Sequence, residues 1–314
     1  MKKIYVVMVL LSLVFCNAAQ SASAEERWSF TALADPRSDY KTFGRALEEV
    51  RNRDALGNTA PSKFILVCGD YDPLSKKIEI YDQVFADAVQ RPAFLPVIGN
   101  HDLSSSDFTQ AAAIVRNLEN VTRRDDMLNY YVDYKNVRII AVNAYDEYGN
   151  DLGQDGNTGC LTVKGIEWIE SVISSADQAD HIFIGMHEPS FPRMRHVSDS
   201  FNACQEERDA FWEMLVSHGD KVKAVFVGHT HQYYRMRVKD PAGADADNPL
   251  IYPDQEGGIY QVDCGACGNG RRDTLINIEI SGKDVFFRVI DAEGGTAQGE
   301  FSIIDEWEIR AEEY

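Results

Sequence analysis

The stretch Gly99-Asn100-His101-Asp102 places three side chains with three different capacities next to one another. Asn100 offers a neutral amide oxygen, a hard ligand for a divalent cation. His101 can exchange a proton near neutral pH. Asp102 can fix the tautomer and orientation of that imidazole. Four other short stretches carry side chains of the same kind: Asp35, Gly69-Asp70, His187 and Gly228-His229-Thr230-His231. Asp35, Asp70, Asn100, His187, His229 and His231 together form a set of oxygen and imidazole donors. That mixture suits Mn, Fe, Zn or Co far better than Ca or a thiolate-bound metal.

Each of these stretches ends an apolar run. Residues 30–34 lead to Asp35, 64–68 to Gly69-Asp70, 94–98 to Gly99, 182–186 to His187, and 222–227 to Gly228. Polar groups at the ends of buried strands sit where α/β proteins place their chemistry. Between the runs lie segments with helical spacing. Phe43, Leu47 and Val50 mark one, and Tyr81, Val84, Phe85 and Ala88 another. Residues 104–127 read as a third helix, with Phe108, Ala112 and Val115 on one face. Ile166, Ile169, Val172 and Ile173 mark a fourth, and Phe211, Met214 and Leu215 a fifth. Strand alternating with helix argues for βαβ units. Residues 130–132 and 137–142 read as two further strands. An irregular stretch at 240–258 precedes the runs 259–262, 275–280, 285–290 and 300–304. Alternation in these last runs predicts antiparallel strands with one buried face.

In this order, Asp35-Pro36-Arg37, Gly69-Asp70, Gly99-Asn100-His101-Asp102, His187 and Gly228-His229-Thr230-His231 resemble the calcineurin-like metallophosphoesterase superfamily. That family's pattern is D-x-H, GD, GNH[DE], H and GH-x-H. The resemblance runs from Asp35 to about Gly270, and the helix holding Trp168 is similar to one that commonly precedes the fourth motif. It implies an α/β fold, a two-sheet mixed β-sandwich flanked by helices in four layers (αββα). It also implies two divalent metal ions, Mn, Fe or Zn. Asp70 would bridge them, one ion taking Asn100, His187 and His229 and the other Asp35 and His231. The implied reaction is hydrolysis of a phosphate mono- or diester by a metal-bound hydroxide. His101, supported by Asp102, would protonate the leaving oxygen or position the phosphate.

One position departs from that pattern. Arg37 stands where the family carries histidine, and a guanidinium has no lone pair with which to ligate. The purple acid phosphatase branch supplies a tyrosine three residues after the second-motif aspartate. Here that position is Pro73, with Tyr71 displaced. The Asp35 side is therefore one protein ligand short, and its ion is expected to be weakly held or missing unless water or Asp39 completes the set. Asp39 is read first as the cap of the following helix. Arg37 is either a planar phosphate donor or part of a surface ion pair. His196 lies with Arg193 and Arg195 in a long loop after His187, and is a candidate substrate-binding residue. Two functions follow: a metal-dependent phosphoesterase, or a phosphate-ester-binding protein with a degenerate first metal site.

Composition is that of a globular protein, with 44% hydrophobic and 26% charged residues and no low-complexity block that would point to disorder. Lys2-Lys3, an apolar run at 4–15 and Ala22-Ser23-Ala24 read as a signal peptide over 1–24, leaving a single domain over 25–314. The expected location is periplasmic or secreted, and the apolar run is short for a membrane span, so none is expected in the mature chain. Loss of Lys2 and Lys3 takes the formal charge from −19 to −21. So acidic a chain should repel nucleic acid, and it should repel small phosphate esters unless a local cation cluster overrides the field. Bound metal ions would be that cluster. Of the six cysteines, Cys16 leaves with the signal and Cys68 reads as a buried thiol. The other four allow three pairings, and Cys160–Cys204 with Cys264–Cys267 is the expected one. His181 reads as solvated, His218 as a helix-end residue, and Tyr233 and Tyr234 as core.

Overall fold

The computed structural model describes residues 27–56, 60–124, 126, 128–146, 150–154, 158–244, 254–268, 273–292 and 301–311. The expected signal peptide lies outside them. Strands β1 (Trp28–Leu33), β2 (Ser62–Cys68) and β3 (Ala93–Val97) run parallel, connected through helices α1 (Tyr40–Leu56) and α2 (Leu74–Val84). Helix α3 (Ser105–Arg116) and strands β4 (Val121–Arg123), β5 (Tyr130–Tyr134) and β6 (Val137–Ala141) follow. Then come α4 (Val163–Ser174), β7 (His181–Gly185), α5 (Gln205–Ser217), β8 (Val222–Val227), β9 (Tyr233–Val238) and the short α6 (Pro241–Ala244). Strands β10 (Ile259–Cys264), β11 (Thr274–Ser281), β12 (Asp284–Asp291) and β13 (Ile303–Ile309) complete the chain.

One sheet has the order β13-β12-β11-β1-β2-β3, and the other β4-β5-β6-β7-β8-β10-β9. Both are mixed: β6, β7, β8 and β10 pair in parallel, while β11 to β13 pair antiparallel. The sheets face each other across a core of Phe30, Phe64, Phe183, Phe226, Val262 and Ile278. Phe43, Leu47, Tyr81 and Phe108 of α1 to α3 cover the outer face of the first sheet. Ile166, Ile169, Phe211 and Trp212 of α4 and α5 cover the second. The expected four-layer αββα arrangement is present. Burial of both faces explains why the central strands read as continuous apolar runs rather than alternating ones. Because β1, β2, β3, β7 and β8 are parallel members of their sheets, their C-terminal ends gather at one edge of the sandwich.

Several expectations need correction. Helix α3 stops at Arg116 instead of reaching 127; Asn117 caps it, and the left-handed Asn120 (φ 54°) turns the chain into β4. Strand β9 lies where no strand was expected. Strand β10 lies in the second sheet rather than beside β11 to β13, antiparallel to β9 but parallel to β8, and β13 extends to Ile309. His181 is fully buried, and its Nε2–H donates to the Gly282 carbonyl at 2.9 Å. Cys160 and Cys204 form the expected disulfide, and Cys68 is a buried thiol. Cys264 and Cys267 are both free. Cys264 ends β10 facing the intersheet core, whereas Cys267 faces the core under α1, so the two thiols serve different sides of the first sheet.

Candidate metal centre

The donor residues sit on turns that bend sharply off the strand ends. Asp35, Asp70, His229 and His231 all have positive φ, at 47°, 59°, 69° and 56°, and Arg37 has 39°. Non-glycine residues pay a steric cost in this region, and such strain concentrates at functional sites. Glycines make room for the approach. A Cβ on Gly69 (φ 83°) would lie 2.5 Å from His187 Nδ1, and one on Gly99 would collide with the Asp70 carboxylate.

His187 is buried, and its Nδ1–H donates to the Cys68 carbonyl at 2.7 Å. That bond leaves Nε2 facing Asn100 Oδ1 at 3.2 Å and Asp70 Oδ1 at 3.3 Å. Nε2 and two acceptor oxygens converge there, an arrangement that calls for a positive charge, either a proton on the imidazole or a cation in its place. Burial alone would lower the His187 pKa, but the Asp70 and Asp35 carboxylates push it up to about 9. Conversely, burial raises the Asp70 carboxyl, but His187, the His101 N–H and Arg37 outweigh it and hold that carboxyl below its usual range. His231 Nε2 lies 3.3 Å from Asp35 Oδ1, and that buried oxygen has no hydrogen-bond partner among the described residues. Asp35, Asp70 and His231 bring ligand atoms within 4.8 Å of one another. Burial, then the neighbouring His187 and His196, keep His229 well below the ordinary imidazole range and therefore neutral, the form that ligates. Asp35 Oδ2 accepts from the His229 N–H at 2.8 Å, tying the first strand end to the last. Asp35, Asp70, Asn100, His187, His229 and His231 are thus gathered, and their donor chemistry fits divalent cations of the Mn, Fe and Zn type.

Two residues around this set, Asp102 and Arg37, depart from expectation, whereas Asp39 caps the following helix as read from sequence. Asp102 does not orient His101. Its buried carboxylate accepts from the backbone N–H groups of Asp70 (2.7 Å), Tyr71 (2.7 Å) and Gly99 (2.9 Å), so it braces two strand-end turns against each other. The carboxylate facing His101 belongs to Asp72, whose Oδ1 is 3.6 Å from His101 Nδ1. Arg37 is no surface ion pair: its Nη1 meets Asp70 Oδ2 at 3.1 Å and its Nε meets Asp72 Oδ2 at 2.6 Å. Asp39 accepts from the Thr42 N–H and hydroxyl and caps α1, so it supplies nothing to the centre. Tyr71 is buried, with its hydroxyl bonded to Val67 and Val97.

His101 is half exposed above the donors, and its N–H donates to Asp70 Oδ1 at 3.0 Å. The long loop after His187 does fold over the centre. His196 packs on His229 with ring centroids 3.9 Å apart and the rings tilted by 43°, and Arg195 Nη1 donates to the Thr230 carbonyl at 3.1 Å. Arg193 instead turns inward, its Nη2 donating to the Ala244 carbonyl. Tyr233 and Tyr234 point away, to Asp305 and to the Phe191 carbonyl. Three acids were missed from sequence. Asp72 follows the second motif by two residues, and Asp199 follows His196 by three. Glu188 directly follows His187; burial pushes its carboxyl up to about 8, and the Tyr145 hydroxyl donates to it at 2.8 Å.

Residues 29–233 match the family model described as calcineurin-like phosphoesterase. No curated protein matches the chain in sequence. Solved structures share its fold at low identity. A purple acid phosphatase from yellow lupin (Lupinus luteus) seeds superposes with a TM-score of 0.60 at 14% identity, covering 91% of this chain and 54% of that one. PhoD gives 0.60 at 10% identity, covering 91% and 70%. GAP50, the anchor in the inner membrane complex of Plasmodium, gives 0.55 at 12%, covering 90% and 88%. The chain spans about half the length of the lupin phosphatase. With a family match over most of the described fold, and the donor set gathered at one sheet edge, the chain belongs to the calcineurin-like phosphoesterases.

Proposed function

We propose that the protein is an exported, metal-dependent hydrolase of phosphate mono- or diesters. The observation that carries this reading is the convergence of His187 Nε2, Asn100 Oδ1 and Asp70 Oδ1, with His231 and Asp35 facing each other and both within 4.8 Å of Asp70. Asn100, His187, His229 and Asp70 would hold one cation; Asp35, His231 and Asp70 would hold the second. Divalent cations bound there would lower the pKa of a water nucleophile and neutralise phosphoryl oxygens. His101, solvent-facing and near Asp72, is placed to give a proton to a leaving oxygen. Arg37 and Arg195 flank the donors and supply local positive charge in a chain of formal charge −19. Export is supported by residues 1–24 and by the Cys160–Cys204 disulfide, a bond favoured outside the reducing cytosol.

Arg37 supports one competing reading, a phosphate-ester binder without turnover, because its guanidinium already holds an oxygen of Asp70. Metal analysis of the purified protein, combined with hydrolysis of aryl phosphate mono- and diesters, separates the two. The hydrolase reading predicts bound divalent metal and metal-dependent turnover, abolished in Asp70→Asn. Metal and phosphate binding with no turnover of either ester class would establish the binder instead.

A further inference from the structure

Asp199 belongs to no expected ligand set, yet its carboxylate touches two histidines. Its Oδ2 lies 2.8 Å from His196 Nδ1, and its Oδ1 lies 3.8 Å from His229 Nε2. Both Asp199 Oδ1 and His229 Nε2 are out of solvent and have no hydrogen-bond partner among the described residues, and His229 is 6% exposed. An orphaned buried polar atom is costly, and a small rotation of Asp199 would join the two.

The loop carrying Asp199 is held where this requires. Gln261 Oε1 accepts from the N–H groups of Ser190 and Phe191, and Arg195 reaches the Thr230 carbonyl. The Cys160–Cys204 disulfide closes its far end. Met194, His196 and Ser200 all sit at positive φ (63°, 56° and 56°), so the loop keeps a strained path that delivers Asp199 to the two rings.

Resting on the metal-dependent reading above, we propose that Asp199 is a positioning residue of the centre: its carboxylate takes the Nε2–H of His229 and the Nδ1–H of His196, leaving His229 to ligate through Nδ1. A ligating histidine commonly gives its other ring N–H to a carboxylate, which fixes its tautomer and raises its basicity. His196, Asp199 and His229 also bring ligand atoms within 4.8 Å of one another, the spacing of a separate cation site. In that arrangement Nε2 of His229 would be metallated while Nδ1 served the main centre, which needs an imidazolate, a ring that has lost its last N–H proton. The shared carboxylate avoids that requirement.

The test is made on the full chain with Zn2+. Long-range 1H–15N spectra of the loaded protein should show His229 metallated at Nδ1 and protonated at Nε2. Calorimetry should show Asp199→Asn binding Zn2+ about 10–100-fold more weakly, with an unchanged melting temperature for the metal-free protein. Metallation of His229 at Nε2 overturns the proposal, as does an Asp199→Asn affinity equal to wild type. A lowered metal-free melting temperature with unaltered Zn2+ affinity also overturns it, by assigning Asp199 to the loop fold alone. Wild-type protein that binds no divalent cation defeats the metal-dependent reading itself, a separate result.

Discussion

His101 and Arg37 are the side chains at which substrate and cation needs diverge. His101 contributes its backbone N–H to Asp70 but keeps its ring free of the donor set. His101→Ala should therefore retain bound metal and lose roughly 10²–10⁴ in kcat. The loss should shrink for esters with strongly acidic leaving groups, which need no proton. Equal losses across a leaving-group series would remove the general-acid role. Arg37 acts on the cation side. Its guanidinium occupies Asp70 Oδ2, an oxygen a second cation would use, and adds a like charge beside it. Arg37→His releases that oxygen and restores an imidazole. Calorimetric titration should show the more weakly bound divalent ion tightening by about tenfold, ~1.4 kcal/mol. Two ions of equal affinity in wild type, unchanged in the variant, would show that Arg37 does not limit the site.

At the scale of elements, the strand-end turns matter more than any single ligand. Asp102 links the turn after β2 to the turn after β3 by accepting three buried backbone N–H groups. Asp102→Ala orphans them, and at about 1–3 kcal/mol each, partly relieved by water, the loss should be on the order of 3–5 kcal/mol. Thermal or denaturant unfolding measures it; a loss below about 1 kcal/mol would show that the turns hold without this brace. The strand ends themselves were legible, because apolar runs buried on both faces stop abruptly at polar residues. The direction of a side chain within a turn was not. Asp102 adjoins His101 in sequence but points to the neighbouring turn, and Asp72 takes the place beside the imidazole. Cys264 and Cys267 looked close enough to bridge, but β10 ends between them and sends them to different cores. Strand β9 alternates buried and part-buried residues, with Arg235 and Arg237 on the outer positions; its charges obscured a strand that period-two reading would have found. Asp199 carried only the weak signal of an acid three residues after a histidine.

At the scale of the whole molecule, the second sheet contains a charge that ties folding to alkaline pH. Lys223 in β8 is buried at 3% exposure, and its ammonium donates to the Asp220 carbonyl. Burial lowers its pKa to about 8, against the opposing pull of Asp220 and Asp180. In the unfolded chain the amine keeps the ordinary lysine value of about 10.4. Between about pH 8 and that value, the unfolded state binds more protons than the folded one, so stability rises with pH across the window. Below pH 8 both states are protonated, and the cost of burying the charge is fully present. Lys223→Met removes the group and should remove its share of the slope. The variant should gain on the order of 2 kcal/mol over wild type at pH 7 and lose that advantage by about pH 10. Urea unfolding of both proteins across this range measures the difference. A constant gap would mean that packing of the methionine, rather than the lysine charge, sets the change.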